Sequence, residues 1–399
     1  MNVIDEIRSF NAGREQERLQ LKFQKMRMDA FSFFRGTCHL FYNRLAQTRL
    51  IKSAPIVWVC GDLHLENFGS YKGSNRLAYF DLNDFDEAAL APASWDLVRI
   101  LTSLIVGADS LSIRLPEAQK LCSVFLDSYN SALAQGKAYW IEDETARGLI
   151  RNLLGSLQNR KRASFIRTRT VNKGRTCVLK IDGKKTLAVS DAQRMAVMDF
   201  MRGFAKTQTQ PKFFRVLDVA RRIAGTGSLG IQRYVILIEG KGSIGGHYLL
   251  DLKQSLDSCV ASHFEALQPS WRSQAHRVVE LQRRLQAMPV AMLQPVKFNS
   301  STYVLRELQP AEDRVSLDRA KQNTEELEMT IEAMGQILAW AQLRSAGRSG
   351  SATADELIHF GQRKKWKEKL LNASYTCAQQ VKKDAALFNR AFDSGELSA

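Results

Sequence analysis

The sequence predicts an α+β fold with two lobes. Segments in which apolar residues recur with helical spacing dominate both ends of the chain, whereas short β-branched runs bounded by turn residues occupy two central regions. A chain of 399 residues is also long enough to form more than one hydrophobic core. We therefore divide it into a helical first part at 1–205, a β-rich part at 206–311 and C-terminal helices at 312–399 that pack back on the first part.

The composition is that of a folded protein with an excess of positive charge. Hydrophobic residues make up 45% of the chain and charged residues 25%, which are ordinary values for a globular domain. The net charge of +16 is not ordinary, and it favours anionic partners such as nucleotides, phosphorylated metabolites, nucleic acid or acidic lipid. Charge alone does not choose among these partners.

Cysteine usage and hydropathy indicate a cytoplasmic protein. The six cysteines are scattered and form no Cys-x-x-Cys pair, which argues against a zinc site or a disulfide framework. The N-terminal residues show no apolar run behind a basic start, and no stretch reaches the roughly 18 apolar residues that a membrane span needs. We therefore expect a reducing, cytoplasmic environment and no membrane span.

Helices are predicted from apolar spacing and from capping and breaking residues. Ser94 is placed to cap the helix that follows it, and Pro116 and Gly136 lie near the start and the end of later helices. Gly347 marks the stop of another long helix. Helices are accordingly predicted at 1–30, as one long amphipathic helix, at 31–50, within 112–160, at 315–346 and from 353 onward.

Strands are predicted where short apolar runs meet turn residues, at 56–60, 77–80, 231–238, 248–253 and 303–308. Residues 178–189 predict a hairpin whose turn is Asp182-Gly183. The segment 159–176 is strongly basic but nearly lacks the aromatic residues on which bases stack. A solvated face is therefore favoured there over a phosphate-binding or nucleic-acid-binding surface.

Two polar segments, each directly after an apolar run, carry the main functional motif. Its candidate site residues are Asp62, His64, Asn67, Asp84 and Asp86. Oxygen ligands at strand ends suit Mg²⁺, so we expect Asp62 as the catalytic carboxylate, Asn67 in the catalytic loop and on the metal, and Asp84 and Asp86 on the metal. His64 orients the loop or the acceptor, and a buried, hydrogen-bonded loop histidine is the equally favoured alternative.

The spacing of these residues resembles that of kinase-like phosphotransferases of the aminoglycoside and choline kinase type. Their loop reads roughly His-Gly-Asp-x-His-x-x-Asn, with the Asp and the Asn five positions apart, as Asp62 and Asn67 are here (67 − 62). A metal-binding Asp-Phe-x follows the next strand, as at Asp84. The resemblance implies a protein-kinase-like two-lobed fold, ATP as the phosphoryl donor, Mg²⁺ as the metal, and a structural Asp96 that begins a helix bracing the catalytic loop.

Over most of its length the sequence resembles more closely the uncharacterised bacterial family called domain of unknown function 2252. The segments that carry this match are FRG at 34–36, GDLHLENFG at 61–69, FDLNDFDE at 80–87, WDL at 95–97 with Arg99, GTGSLG at 225–230 and YVLREL at 303–308. Two departures are visible, since Gln254 follows Lys253 where that family usually has Glu, and Gln342 stands where many relatives have His. The family name supplies no activity.

A glycine-rich turn between two predicted strands is the second functional motif. Its candidate phosphate-binding residues are Gly225, Thr226, Gly227, Ser228 and Gly230. Lys253 on the next strand would pair the α- and β-phosphates of a nucleotide, and Glu280 on the following helix would pair with Lys253. The strand at 303–308 would be the hinge against which adenine hydrogen-bonds. An ordinary hairpin and an exposed strand lysine are the alternatives.

The order of the two motifs predicts a circular permutation. Gly225 follows Asp62 by 163 positions (225 − 62), whereas in ordinary kinases the glycine loop precedes the catalytic loop. Permutation is tolerated when the chain ends are exposed and close together. We therefore expect a circularly permuted kinase-like fold in which both lobes still close on one cleft.

These patterns together predict an ATP- and Mg²⁺-dependent phosphotransferase that moves a phosphoryl group to a hydroxyl of an unidentified acceptor, and the positive net charge favours an anionic one. A metal-dependent phosphoesterase is one alternative, because Asp62-Leu63-His64 resembles the start of such sites, although the chain has only six histidines. A catalytically inactive nucleotide-binding regulator is the other. Arg35 is either an anion clamp beside this site or part of an ordinary ion pair.

Overall fold

Helices and antiparallel strands build an α+β structure, as the sequence predicts. The computed structural model describes residues 2–48, 54–174, 176–315 and 323–397. None of the helices within these ranges is long and apolar enough to cross a membrane.

The helices begin and end as follows: α1 (Val3–Asn11), α2 (Gln16–Met28), α3 (Ala30–Gly36), α4 (Cys38–Ala46), α5 (Ala93–Val106), α6 (Ala108–Leu111), α7 (Leu115–Gln135), α8 (Gly148–Gln158), α9 (Arg162–Arg169), α10 (Asp191–Lys206), α11 (Ser243–Gly246), α12 (Gln274–Leu285), α13 (Thr324–Ser345), α14 (Ala354–Gln362) and α15 (Trp366–Asp393).

The strands are β1 (Ile56–Val59), β2 (Phe68–Lys72), β3 (Ala78–Leu82), β4 (Ala89–Pro92), β5 (Thr170–Lys173), β6 (Thr176–Leu179), β7 (Thr186–Leu187), β8 (Val216–Arg222), β9 (Arg233–Ile238), β10 (Tyr248–Gln254), β11 (Gln294–Phe298) and β12 (Ser301–Glu307). Six of them form a sheet in the order β11-β12-β10-β9-β8-β7. The pairs β1-β4, β2-β3 and β5-β6 form separate antiparallel ladders.

Helix α5 lies at the centre of the helical part. Every one of its residues is buried, including Asp96 and Arg99 near its start. It contacts α3, α7, α15 and β1, and α13 packs along α7 on the outside of this group. A helix that is apolar nearly all round is expected only in the middle of a core, so α5 is the rigid element from which the neighbouring loops are positioned.

The six-stranded sheet has one apolar face and one face of mixed character. On the first face, Ile236 and Leu250 pack against Val197 and Met201 of α10. Helix α10 shares a hydrophobic core with the sheet, and we therefore assign it to the β-rich part. The boundaries at 205 and 311 stay predictions.

The mixed face is apolar at one end and charged at the other. At the apolar end, Leu237 and Leu249 pack with Ile166 of α9 and Leu179 of β6. At the charged end, Lys253 lies directly opposite Arg233, and Asp251 lies opposite Arg306. Directly opposed residues of antiparallel strands share a face, so these four charges stand together.

The N-terminal segment is two helices, and the prediction of a single helix at 1–30 is wrong. The helical path ends after Asn11 and starts again at Gln16. Gly13 has φ 74°, a left-handed conformation that glycine adopts without a Cβ penalty. The turn carries Arg14 toward the glycine-rich segment, which a continuous helix could not do.

Two further local predictions need correction. The predicted hairpin at 178–189 does not form, because β6 pairs with β5 and β7 pairs with β8. The predicted turn is present, since Asp182 accepts hydrogen bonds from three following backbone N–H groups. This turn connects the β5–β6 ladder to the β7–β8 ladder instead of joining two paired strands. Ser94 lies inside α5, whose N-cap is Pro92.

The other predicted elements agree with the structure. The predicted strands correspond to β1, β3, β9, β10 and β12. Helix α7 has Pro116 in its first turn and ends before Gly136, whose φ is 68°. Residues 49–50, Arg175 and 316–322, which lie in segments with predictions, fall outside the described residues.

Part of the basic segment 159–176 is paired with acidic side chains instead of being fully solvated. Arg160 donates to Asp313, with 2.9 Å from Nη1 to Oδ2, and Arg169 donates to Glu312, with 2.8 Å from Nη2 to Oε1. These pairs fasten α9 to the chain just after β12.

Candidate functional site

The loop at 60–67, which is predicted from the sequence to be catalytic, is fixed by a sharp turn and by a buried carboxylate. Gly61 has φ 88°, and a Cβ there would collide with the backbone of Glu87, so only glycine fits. Asp96 accepts hydrogen bonds from the N–H groups of Cys60 at 2.7 Å and Gly61 at 2.9 Å. Burial raises the pKa of Asp96 to about 7, although these two N–H donors oppose the shift. The predicted bracing role of Asp96 is confirmed.

Asp62 is held by a buried arginine. Arg99 donates to its Oδ1 from Nη2 at 2.5 Å and from Nε at 3.1 Å, and also to the carbonyl of Phe34 at 3.1 Å. The Arg99 guanidinium lies 3.8 Å from the centroid of the Phe34 ring. These charge-assisted hydrogen bonds, both to Oδ1, hold the carboxylate in one orientation. The other oxygen, Oδ2, accepts neither of these hydrogen bonds and remains available to a ligand in the cavity.

Asn67 presents an unpaired oxygen. Its Nδ2 donates to the carbonyls of Asp62 at 3.0 Å and Asp84 at 3.3 Å, which fixes the orientation of the amide. Its Oδ1 is buried and has no hydrogen-bond partner among the described residues. A buried acceptor without a partner is costly, and although several other buried polar atoms of the described structure share this property, the position of this oxygen beside Asp84 makes it a candidate metal ligand.

Asp84 and Asp86 stand beside Lys253. The Lys253 ammonium forms an ion pair with Asp86 and lies 3.6 Å from Asp84 Oδ1. Burial would raise the pKa of Asp84, but the positive charges of Lys253 and Arg314 outweigh it and lower that pKa below its ordinary value. Asp84 is therefore an anion at neutral pH, as a metal ligand must be.

The expected pair between Lys253 and Glu280 is not formed. Glu280 pairs with Arg283 on its own helix at 3.1 Å, and its side chain is 30% exposed. Helix α12 buries Val279 and Leu281 on its inner side, which leaves Glu280 toward the surface. The acidic partners of Lys253 come instead from the loop after β3.

His64 lies in the loop as a buried histidine that begins a short 3-10 helix. Its Nδ1 accepts a hydrogen bond from the N–H of Glu66 at 3.1 Å, so the neutral ring carries its proton on Nε2. Burial lowers the pKa of His64 well below its ordinary value. This histidine shapes the loop, and it also lines the cavity described below.

The glycine-rich loop between β8 and β9 is held by hydrogen bonds from the N-terminal segment. Arg14 donates from Nη1 to the carbonyls of Gly227 at 2.7 Å and Leu229 at 2.9 Å. The fully buried Lys22 reaches Asn11 Oδ1 at 2.7 Å and the carbonyl of Gly227 at 3.3 Å. Burial lowers the pKa of Arg14 to about 10. The turn that divides α1 from α2 is thus what anchors this loop.

The tip of the glycine-rich loop lies on the catalytic loop. A Cβ on Gly227 would stand 3.1 Å from the carbonyl of Arg35 and 3.8 Å from Asp62 Oδ2. Two motifs that are far apart in the sequence therefore meet, and only a bare backbone approaches this closely.

A cavity of about 540 Å³ lies where these elements meet. Of the predicted site residues, it is lined by Asp62, His64, Asp84, Asp86, Gly225, Thr226, Gly227 and Ser228. Asn67 and Lys253 lie behind this wall, and Glu280 is outside the site. Arg35 forms an ion pair with Glu66, which is one of its two predicted roles, and it also lines the cavity, so the anion-clamp role stays a prediction.

The hinge role expected for 303–308 is not available to its strand. β12 lies between β10 and β11, and Tyr303 pairs with Gln254 on one side and Val296 on the other. Both edges of the strand are occupied by ladder partners. A nucleobase therefore has no free backbone edge there.

Gln342 has a packing role. Its Oε1 accepts a hydrogen bond from the Tyr129 hydroxyl at 2.5 Å, inside the contact between α13 and α7. It does not line the cavity. The departure at this position therefore leaves the site unaltered.

The side chains of this site include oxygen atoms of the kind that bind Mg²⁺. Among the described residues, no group of three or more His, Cys, Asp or Glu side chains is arranged to hold a metal ion. Mg²⁺ in nucleotide sites needs fewer, since it takes one or two carboxylates, substrate phosphates and waters. The unpaired Asn67 Oδ1 and the ionised Asp84 carboxylate fit that requirement.

Sequence reasoning assigned no role to three arginines of this site, Arg14, Arg99 and Arg314, although Arg99 stands within the segments that carry the family match. Arg99 follows Asp96 by three positions on a helix, so both side chains face the same loop, and that spacing is a signal that could have found it. Arg14 carried no local signal, because its role depends on a turn and on a contact with residues more than 200 positions away.

The family model described as an uncharacterized protein conserved in bacteria, DUF2252, matches residues 14–391. The chain belongs to this family. The matched residues include Arg14, the loop with Asp62 and Asn67, the glycine-rich loop and β12. No curated protein and no solved structure matches the chain.

Proposed function

We propose that this DUF2252 protein is an ATP- and Mg²⁺-dependent phosphotransferase that moves a phosphoryl group to a hydroxyl acceptor. The observation that carries the proposal is Asn67, whose amide is oriented by two backbone carbonyls while its Oδ1 is buried without a partner in the described structure. Beside it stand an ionised Asp84 and the ammonium of Lys253. The Asn67 oxygen and the Asp84 carboxylate suit a metal ion, and the Lys253 ammonium suits the phosphates that the metal ion would neutralise.

In this proposal the chain acts mainly by positioning and electrostatics, which dominate phosphoryl transfer. Asn67 and Asp84 would hold Mg²⁺, which supplies charge neutralisation at the phosphates. Asp62, oriented by Arg99 through Oδ1, would accept a hydrogen bond from the acceptor hydroxyl at Oδ2. The backbone of the glycine-rich loop would face the phosphates.

The finer fold assignment belongs to the same proposal. The run β8, glycine-rich loop, β9, β10 with Lys253, α12 and β12 follows the order of a kinase phosphate-binding lobe. The brace from Asp96 to the catalytic loop agrees with the helical lobe. We infer a circularly permuted kinase-like arrangement, which accounts for the meeting of two loops 163 positions apart (225 − 62).

The test is Mg²⁺-dependent ATP binding and turnover by the full chain. Thermal shift and transfer or release of labelled phosphate would compare the wild type with Asp84→Asn and Lys253→Ala. Asp384→Asn, a buried aspartate paired with Arg44 away from the cavity, and Lys297→Ala on the exposed edge of the sheet are matched controls.

We expect ATP to stabilise the wild type and both controls only when Mg²⁺ is present, and to leave Asp84→Asn and Lys253→Ala unchanged. Hydrolysis of phosphate esters without ATP binding would replace the proposal with a phosphoesterase. ATP binding that survives in Asp84→Asn, with no turnover in any protein, would instead support a regulator.

A further inference from the structure

We propose that the nucleoside of the bound nucleotide lies at the end of the cavity formed by Gln254–Asp257 and the turn at 300–302, and not against the segment that follows β12. The inference rests on the proposed function, because it assumes that the cavity takes a nucleotide. It adds where the base and ribose bind and which side chains recognise them.

The cavity has two chemically different ends. One end is charged and contains the glycine-rich loop, Arg14, Arg35, Arg314 and four carboxylates, Asp62, Asp84, Asp86 and Glu87, of which Glu87 also contacts Ser258 and Cys259. The other end is formed by uncharged polar side chains with one carboxylate, from Gln254, Ser255, Asp257, Gln274, Ser300 and Thr302. Phosphates and metal suit the first end, so the remaining part of the ligand must extend toward the second.

The neutral end has the groups that a nucleoside needs. Ile231 and Leu256 are the aliphatic side chains of this wall, and Leu256 is 43% exposed, so a base has apolar surface to cover. Gln254 supplies an amide whose bond to Ser301 Oγ is long, at 3.3 Å. Asp257 offers a carboxylate to a ribose diol, held at 2.6 Å by the Gln274 amide. Few polar groups with an apolar wall are typical of a small-molecule site.

The segment after β12 is closed to a base. The N–H of Leu308 donates to the carbonyl of Leu249 at 2.8 Å, and the carbonyl of Gln309 accepts a hydrogen bond from Arg222 at 2.6 Å. The cavity beside this segment measures only about 90 Å³. These two backbone groups are therefore engaged and the space is small, although the buried side-chain amide of Gln309 has no hydrogen-bond partner among the described residues.

The sheet face between the two places is filled by charge. Asp251 is buried and accepts hydrogen bonds from Arg233 at 2.8 and 2.6 Å, while Arg222 lies 2.7 Å and Arg306 3.8 Å from its Oδ2. These ions are already buried and paired with one another, so this part of the sheet face has charged side chains where a base would need apolar surface. The base is thus directed to the neutral end.

The experiment compares MgATP with Mg²⁺-tripolyphosphate, which has the phosphates but no nucleoside. Binding of both would be measured by calorimetry for the wild type, Ser300→Trp and Leu256→Asp. Both substituted side chains are exposed, so the variants should fold. Gln254→Ala and Gln309→Ala form a matched pair, with the same change at the neutral end and at the segment after β12.

We expect Ser300→Trp and Leu256→Asp to weaken MgATP binding by about tenfold or more while tripolyphosphate binding stays within about twofold, because only the nucleoside loses contacts. Gln254→Ala should weaken MgATP more than Gln309→Ala does. Equal loss of both ligands, or a loss of MgATP confined to Gln309→Ala, would overturn the inference and leave the proposed function standing. A wild type that binds neither ligand would overturn both.

Discussion

Replacing Asp96 with Asn is expected to loosen the catalytic loop and to destabilise the whole protein. The carboxylate accepts two backbone N–H bonds, from Cys60 and Gly61, in a fully buried position. An amide keeps one acceptor and turns an NH₂ group toward the other donor, so one buried N–H loses its partner. Leaving such a donor unsatisfied costs about 1–3 kcal/mol.

Burial raises the pKa of Asp96 to about 7, so the ionised carboxylate is itself unfavourable in the folded state. The loss would therefore be measured by urea unfolding at pH 5, where the folded carboxyl is mostly protonated and only the unsatisfied donor counts, at about 1–3 kcal/mol. Hydrogen exchange should also become faster at residues 60–67. Asp384→Asn is the control, because Asp384 is equally buried but binds Arg44, whose side chain is 28% exposed and regains water.

The control variant should lose less stability and leave exchange at 60–67 unaltered. If Asp96→Asn unfolds within about 1 kcal/mol of the wild type with unchanged exchange in the loop, the brace is not what holds the catalytic loop.

Two further predictions concern stability. Burial lowers the pKa of His39 to about 2, so the folded protein keeps this ring neutral. The unfolded chain takes up a proton on it below about pH 6.5. The free energy of unfolding therefore falls as the pH drops, by about 2 kcal/mol at pH 5. His39→Phe, which keeps the stack on Phe10, should therefore raise the melting temperature more at pH 5 than at pH 8, and an equal gain at both values would refute the titration. Gly335→Ala should cost about 2 kcal/mol or more in urea unfolding, since its Cβ would collide with Ser128 across the α13–α7 contact. Gly155→Ala in α8, whose Cβ meets no heavy atom of the described structure within 4 Å, should instead stabilise by about 0.5–1 kcal/mol, and equal effects would contradict the close packing.

The positions of the candidate site residues could be predicted largely from local sequence. Asp62, Asn67 and Asp84 stand in short segments between apolar runs, and their placement after strands follows from those runs. Asp96 was assigned a bracing role from its position at a helix start. Such features are local, because strand, turn and helix signals act over a few residues.

The partners of these residues could not be predicted in the same way. Lys253 was expected to bind Glu280 but binds Asp86, since the register of β10 and the tilt of α12 decide which carboxylate comes near. The hairpin at 178–189 failed for a related reason: local propensity identifies a turn, but pairing depends on which other strands compete for its edges.

The sequence by itself determined the α+β class, most elements, the candidate site residues and their family. Tertiary structure decided that the glycine-rich loop lies on Asp62, that Arg14 grips it, and that the segment after β12 is closed. The physical reason is the distance along the sequence over which each kind of interaction acts. Capping, turn and periodicity signals act within a few residues, whereas contacts between residues up to 215 positions apart depend on how whole elements pack, and no short stretch of sequence contains that information.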